Sequence, residues 1–289
     1  MNYWVIILTR NGEDTVAQCL ESILNQTMPP ILVCIVDDGS TDNTPSILEA
    51  FSSRFPDKIH VITLPDRGFN IRRVVRNLNL AIQRFRRMGV ETKYTLITGD
   101  DCVYPDNYAE FILSEMERNP GLVVASGDIE GYIPDVTPRG SGRFVRNSFF
   151  EKIGGMYPPY YGYEAWILHK ALQLGYRIQN FSGIGYKHLR MLGKKHRFCD
   201  WGLAMKCLGY HALEVVYRCT KYVLVDRRLP LSYCTVLWDY FIRPFTLKND
   251  PYFQYFDDGL RRFIGKRQKR NAIRRITLRI RATFAEMKT

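Results

Sequence analysis

The sequence predicts an α/β fold: a mostly parallel sheet flanked by helices in the first two-thirds, followed by a mainly helical extension. Short, β-branched apolar runs alternate with runs of helical periodicity. Two of the apolar runs, 31–36 and 94–98, end abruptly in paired carboxylates. Positive charge collects at the far C-terminus, away from this alternation.

The elements follow in order. Residues 3–9 form a short apolar strand, broken by Asn11-Gly12. Residues 14–24 place Val16, Leu20, Ile23 and Leu24 on one helical face. Residues 31–36 form a buried strand that empties into Asp37, Asp38, Gly39 and a Ser/Thr/Asp cluster, and Asp42 can cap the next helix, which carries Ile47, Leu48 and Phe51. A third strand covers 59–64. A long helix with Val74, Val75, Leu78, Ala81, Ile82 and Phe85 has Gly89 near its end, and the fourth strand, 94–98, ends in Gly99-Asp100-Asp101. In open α/β sheets the carboxyl ends of strands are where ligands bind.

Composition narrows the class. A chain of 289 residues that is 46% hydrophobic can bury a full core, so one α/β domain with an extension is expected rather than two independent domains. The first residues lack the basic start and long apolar run of a signal peptide, and no stretch of about 18 apolar residues predicts a membrane span. Seven cysteines, an odd number without a C-x-x-C pair, are expected to be buried free thiols in a reducing compartment. The net charge of +12 is concentrated: eleven Lys or Arg against the single Glu286 give +10 within 259–289.

The ordered motifs carry a resemblance. Asn11-Gly12, VDDGSTDNT at 36–44, Val75-Arg76-Asn77 and GDDCVYP at 99–105 resemble the family 2 glycosyltransferases of GT-A fold. The likeness continues through Ser141 to Arg146, Ile153-Gly154-Gly155-Met156, Gly162-Tyr163-Glu164, Gly175 to Ile178 and His188, covering roughly residues 3–190. It implies a catalytic domain over 1–198 and a helical, basic extension over 199–289.

What the resemblance implies for chemistry is specific. A nucleotide-sugar donor carries a diphosphate whose charge grows as the sugar leaves, so a divalent cation and basic groups stabilise it. A hydroxyl acceptor must lose a proton as it attacks, which calls for a carboxylate base. Thr9, Asp37 and Asp38 are the expected nucleotide contacts, with Arg76 on the long helix, and Asp101 is expected either to touch ribose or to orient the cation. The metal motif is usually D-x-D. Here Thr98 stands where its first Asp is expected and Asp100 where the metal-ligating one is, so Asp100 and His188 are the expected ligands of Mg or Mn. Glu164 is the expected catalytic base. Counting back from Gly175 puts it at the base position, whereas matching it to the Glu of the family's E-D-x-D puts Ala165 there; the first register keeps a carboxylate. Lys194, Lys195, His196 and Arg197 form a basic loop that could fold over the diphosphate.

In the extension, 201–225 and 229–245 are rich in apolar and aromatic residues, among them Tyr233, Leu237, Trp238, Tyr240 and Phe241, and core packing is the expectation for them. In the tail, Ile273, Ile276, Ile280, Phe284 and Met287 recur at helical spacing among arginines, describing a basic amphipathic helix suited to an anionic membrane surface.

The expected function is an inverting glycosyltransferase moving a sugar from a nucleotide-sugar donor to a saccharide or lipid-linked acceptor, in the cytoplasm or on the cytoplasmic membrane face. Two rivals compete with it. A catalytically degenerate carbohydrate-binding relative would keep Asp38 and lose the chemistry. A nucleic-acid-binding protein would explain the tail but not the strand-end carboxylates, and no nucleic-acid fingerprint is present. Nor is there the N-terminal glycine-rich, basic signature of a sugar nucleotidyltransferase.

Overall fold

The computed structural model describes residues 1–132, 137–160, 162–191, 198, 200–225, 230–244 and 256–286, with side chains described to 272 apart from 225 and 230. The chain forms two compact units, Met1–Pro159 with Lys170–Met191, and Tyr160–His169 with Leu192–Thr289. The second unit thus takes in residues 160–169 and 192–198, which sequence alone assigns to the first domain.

The first unit holds the strands β1 (Tyr3–Thr9), β2 (Leu32–Asp37), β3 (Ile59–Thr63), β4 (Tyr94–Gly99), β5 (Cys102–Val103), β6 (Leu122–Ile129), β7 (Arg143–Arg146) and β8 (Arg177–His188). Its helices are α1 (Val16–Leu24), α2 (Thr44–Arg54), α3 (Val74–Arg87), α4 (Tyr108–Arg118) and α5 (Asn147–Lys152), and α6 (Tyr163–Gln173) follows. The strand order is β3-β2-β1-β4-β7-β6-β8-β5. β3, β2, β1 and β4 are parallel, and β2 is buried along its whole length, as a strand covered on both faces must be.

The sheet is less parallel than expected. β7 runs antiparallel between β4 and β6, and β5 antiparallel to β8. The physical reason is the connection: a parallel return needs a crossover, usually a helix, and residues 130–142 contain none among those described. β8 is also one long strand whose register against β6 jumps between Gly127↔Phe181 and Asp128↔Gly185. A Cβ at Gly127 would stand 2.4 Å from the Ile184 carbonyl, so glycine permits this close passage.

α3 shows the logic of the core. Val75, Leu78, Ala81, Ile82 and Phe85 are buried, and Phe85 stacks on Trp4 at 4.3 Å. Asn79 is buried too, but it exchanges two hydrogen bonds with the Tyr157 backbone at 2.7 and 2.9 Å. Arg76, Arg84, Arg86 and Arg87 occupy the exposed face.

The second unit contains α7 (Trp201–Cys207), α8 (Ala212–Val225), α9 (Pro230–Phe241) and α10 (Asp258–Glu286). α7 and α9 approach closely at Gly202, where a Cβ would meet the Val236 carbonyl at 2.2 Å. Arg243 bridges Asp200 at 3.0 Å and Asp239 at 3.3 Å. The expectation of core packing is corrected for Trp238 and Phe241: both are exposed, whereas Tyr233 is buried. Cys234 is exposed as well, while the other described cysteines are buried free thiols. The tail is helical to Glu286, and Leu260 and Ile264 bury its first turns. Its apolar set from Ile273 onward lies outside the residues whose side chains are described, and Met287 lies outside the described residues altogether.

His169 is buried in this unit, its Nε2 hydrogen-bonded to Tyr210 Oη at 2.8 Å and its Nδ1 without a partner among the described residues. Burial, with Arg267 and Arg218 nearby, pushes its pKa down to about 3. The folded unit therefore refuses a proton that the unfolded chain accepts near its ordinary value. The stabilisation is complete above about pH 6.5 and falls by about 1.4 kcal/mol per pH unit below it, down to the folded value. Denaturation midpoints between pH 7 and 5.5 should slope for the native chain and flatten in His169→Gln. An equal slope in the variant would rule out His169 as the source.

Candidate functional site

The carboxyl ends of β1, β2 and β4 meet at one edge of the first unit. Register puts Thr9 beside Asp37 and Leu8 beside Gly99, so the residues after each strand converge. The loops leaving β1 and β2 are then zipped together. Asn11 N–H donates to Ser40 Oγ at 2.9 Å and Gly12 N–H to Thr44 Oγ1 at 2.7 Å, while Thr41 N–H donates back to Asn11 Oδ1 at 2.9 Å. The Ser/Thr/Asp cluster after Asp38 thus builds the edge as well as starting α2. Asp42 accepts from Thr44 N–H at 3.0 Å, which is the cap-like role expected of it, one residue ahead of the N-cap Asn43.

Asp37 is fully buried. Its Oδ1 accepts from the Ser40 N–H and hydroxyl at 2.9 and 2.6 Å, and its Oδ2 has no partner among the described residues. A buried carboxylate oxygen without a donor is costly, and a ligand N–H or hydroxyl would relieve it. Asp38 is differently placed: Arg73 grips its carboxylate through Nε at 3.1 Å and Nη2 at 2.8 Å. Arg10 ties the same wall together, paired with Asp66 at 2.6 Å and donating to the Gly39 carbonyl at 2.7 Å and to that of Asp38. Gly39 has φ +72°, and a Cβ there would lie 2.5 Å from the Asp66 backbone.

The arginine that reaches Asp38 is therefore Arg73, and the expected Arg76 is exposed on α3. Arg73 sits where the 3-10 turn Ile71–Arg73 enters α3, and Arg76 lies roughly 4.5 Å further along the axis, beginning the solvated face.

At the end of β4, Thr98 turns inward: its hydroxyl pairs with Tyr104 Oη at 2.6 Å, so it offers no ligand atom where the resemblance expects an Asp. Asp100 is buried and accepts from Thr9 Oγ1 at 2.6 Å, and Arg190 Nη1 stands 3.3 Å from its Oδ1. Burial pushes its carboxyl up to about 6, against the lowering effects of Thr9 and Arg190. Arg190 also donates to the Asn11 carbonyl at 2.8 Å. A Cβ at Gly12 would stand 2.1 Å from Asp100 Oδ2, so only glycine lets the first loop pass here.

Asp101, expected either to orient the cation or to touch ribose, lies beside His188. β5 pairs Cys102 with His188, which brings His188 Nδ1 to 3.5 Å from Asp101 Oδ2. Donor atoms of Asp101, Cys102 and His188 lie within 4.8 Å of one another. His188 Nδ1 donates to the Arg190 carbonyl at 2.7 Å, so of the two ring nitrogens a metal would take Nε2. Burial pushes the Cys102 thiol up to about 12, so it stays protonated and is no ligand for a hard cation. A carboxylate and an imidazole nitrogen, with Asp100 adjacent in sequence, fit Mg or Mn that keeps water and takes phosphate oxygens.

Glu164 is in the first turn of α6, in the second unit, and accepts from Tyr163 Oη at 3.3 Å. The basic loop of Lys194, Lys195, His196 and Arg197 lies outside the described residues. Sequence reasoning passed over Arg10 and Arg190 and set Arg73 aside. Each stands directly after a strand or at a helix start on the ligand edge, the positional signal that could have ranked them.

Comparison with known proteins adds to this geometry. The family model described as Glycosyl transferase family 2 matches residues 4–176. The chain is 28% identical over 128 residues to an uncharacterized glycosyltransferase, YibD, of Escherichia coli, covering 43% of this chain and 33% of that protein. It is 30% identical over 122 residues to the putative glycosyltransferase EpsH of Bacillus subtilis, covering 42% and 32%. A chondroitin synthase of Escherichia coli is 38% identical over 118 residues, covering 41% and 16%. The chain thus spans a third or less of these relatives. Among solved structures, Staphylococcus aureus TarS with UDP-GlcNAc aligns with a TM-score of 0.56 at 18% identity, over 91% of this chain and 80% of that one. A mannosyltransferase of Pyrobaculum calidifontis with GDP-Man and Mn2+ aligns at 0.55 and 18%, over 82% and 68%. These likenesses show the fold.

Proposed function

Because the chain belongs to glycosyl transferase family 2, we propose that it is an inverting glycosyltransferase moving a sugar from a nucleotide-diphosphate donor to a hydroxyl acceptor in glycan or polysaccharide biosynthesis. The observation that carries this reading is the single edge holding Thr9, Asp37, Asp38, Asp100, Asp101 and His188. Asp37 Oδ2 accepts from the base or ribose, and the Asp38–Arg73 pair and Arg10 hold the wall against which the nucleoside lies. Arg76 remains a nucleotide-side residue only if the donor reaches the first turn of α3.

Asp101 and His188, with Asp100, would hold a divalent cation, which when bound supplies positive charge for the diphosphate leaving group. Thr9 and Arg190 keep the Asp100 carboxylate oriented. Glu164 takes the proton from the acceptor hydroxyl as its oxygen forms the new bond to C1 and the C1–O bond to phosphate breaks. One base and direct displacement invert the configuration at C1.

The acceptor we favour is lipid-linked, with the chain at an anionic membrane surface on the cytoplasmic side. No helix among the described residues is long and apolar enough to cross a membrane. The inward turn of Thr98 favours a second reading, a carbohydrate-binding relative that has lost turnover.

A thermal-shift screen of UDP-, GDP-, dTDP- and CMP-sugars with and without Mn tests the reading. One donor should stabilise the protein with Mn, by about 2.7 kcal/mol at a hundredfold excess over its Kd. Hydrolysis or transfer of that donor then separates an enzyme from a binder, and stabilisation by none of them counts against the donor class.

A further inference from the structure

We propose that the second unit docks on an anionic lipid bilayer through the outer face of α9. The inference rests on the membrane-surface reading above and gives it a place on the molecule. α9 has its polarity reversed. Its buried positions include Ser232 and Asp239 beside Tyr233 and Val236, while Leu231, Cys234, Trp238 and Phe241 point outward, followed by Ile242. Leu231 is 74% exposed and Trp238 60%. These positions recur at three- and four-residue spacing, so they form one stripe along the helix.

α8 covers the neighbouring side of α9, with Tyr222 stacked on Tyr233 at 5.6 Å, so the α9 stripe is left uncovered by it. Scattered single apolar residues on a surface need no explanation, but a continuous stripe of large ones along one helix marks an interaction face.

Charge identifies what covers it. The second unit has twenty-one Lys and Arg against nine Asp and Glu, a net +12 that equals the charge of the whole chain, so the first unit is balanced. Arg262, Lys266, Lys269 and Arg270 are exposed on α10. Two copies meeting at this face would bring +12 against +12, whereas anionic headgroups complement it and the acyl boundary accepts leucine and tryptophan. The contact lies along the surface, since no helix among the described residues can cross a bilayer.

The full chain tests this with vesicles of phosphatidylglycerol or of phosphatidylcholine alone. It should co-sediment with the first and not the second, and a Leu231→Glu, Trp238→Glu double variant should lose at least tenfold in partitioning. If the native chain binds neither vesicle, the membrane reading fails and the inference with it. If the double variant binds as well as the native chain, the face is wrong while the membrane reading stands. A native dimer that becomes monomeric in the variant, measured by light scattering, would assign the face to a second copy and overturn the proposal. Should the double variant misfold, brominated lipid decides on the native chain. Tryptophan quenching that disappears in Trp238→Phe supports the face, and quenching unchanged by that substitution overturns it.

Discussion

Asp100→Asn is expected to reduce turnover by roughly 100-fold or more, the size of effect seen when one preorganised charge-stabilising group is removed from an active site. The amide can still accept from Thr9, so the 2.6 Å bond that holds the end of β4 to β1 survives. What disappears is the negative charge that Arg190 approaches at 3.3 Å and that a divalent cation would share with Asp101 and His188. Two readouts are needed. Turnover should become insensitive to Mn, and Mn binding, followed by calorimetry or electron paramagnetic resonance, should weaken in the absence of donor. Native turnover with native Mn affinity would remove Asp100 from the cation site and leave it an anchor for Arg190 and the first loop.

Glu164→Gln should separate chemistry from binding. If Glu164 is the base, kcat falls by about 10²–10⁴ while donor affinity is nearly unchanged, because the amide keeps the shape and the hydrogen bond from Tyr163 but cannot take the acceptor proton. A fall in donor affinity with unchanged kcat would give Glu164 a binding role. Turnover like the native chain would exclude it as the base. The test matters because the assignment rests on counting back from Gly175, where Gly162-Tyr163-Glu164 departs from the family's E-D-x-D, and on the position of Glu164 in the first turn of α6.

Much of the candidate edge was legible because its signals are local. A β-branched run ending in two carboxylates predicts a strand end at Asp37 and Asp38, and β2 does end at Asp37. The GDD turn predicts another at Asp100, and β4 ends at Gly99. What local signals could not sort is which neighbour each group meets. Arg76 and Arg73 are equivalent as letters, but only Arg73 stands at the mouth of α3. Asp100 and Asp101 are adjacent in sequence, yet one turns to Thr9 and Arg190 and the other to His188. Trp238 and Phe241 read as core by composition, and the structure exposes them because α9 buries the face carrying Ser232 and Asp239.

The sequence by itself determined the α/β class, the order of strands and helices as far as the fourth strand, the carboxylate-bearing strand ends and the basic C-terminus. Each of these depends on periodicity, breakers and charge within a window of about ten to twenty residues. Only the tertiary structure decided that β7 enters reversed between β4 and β6, that Arg190 covers Asp100, and that His188 lies beside Asp101. Those placements come from pairing across long stretches of chain, as when the two residues of β5 meet the end of β8 in antiparallel register and set Cys102 opposite His188. A pairing of that kind is selected by the packing of the whole sheet, and no local window contains it.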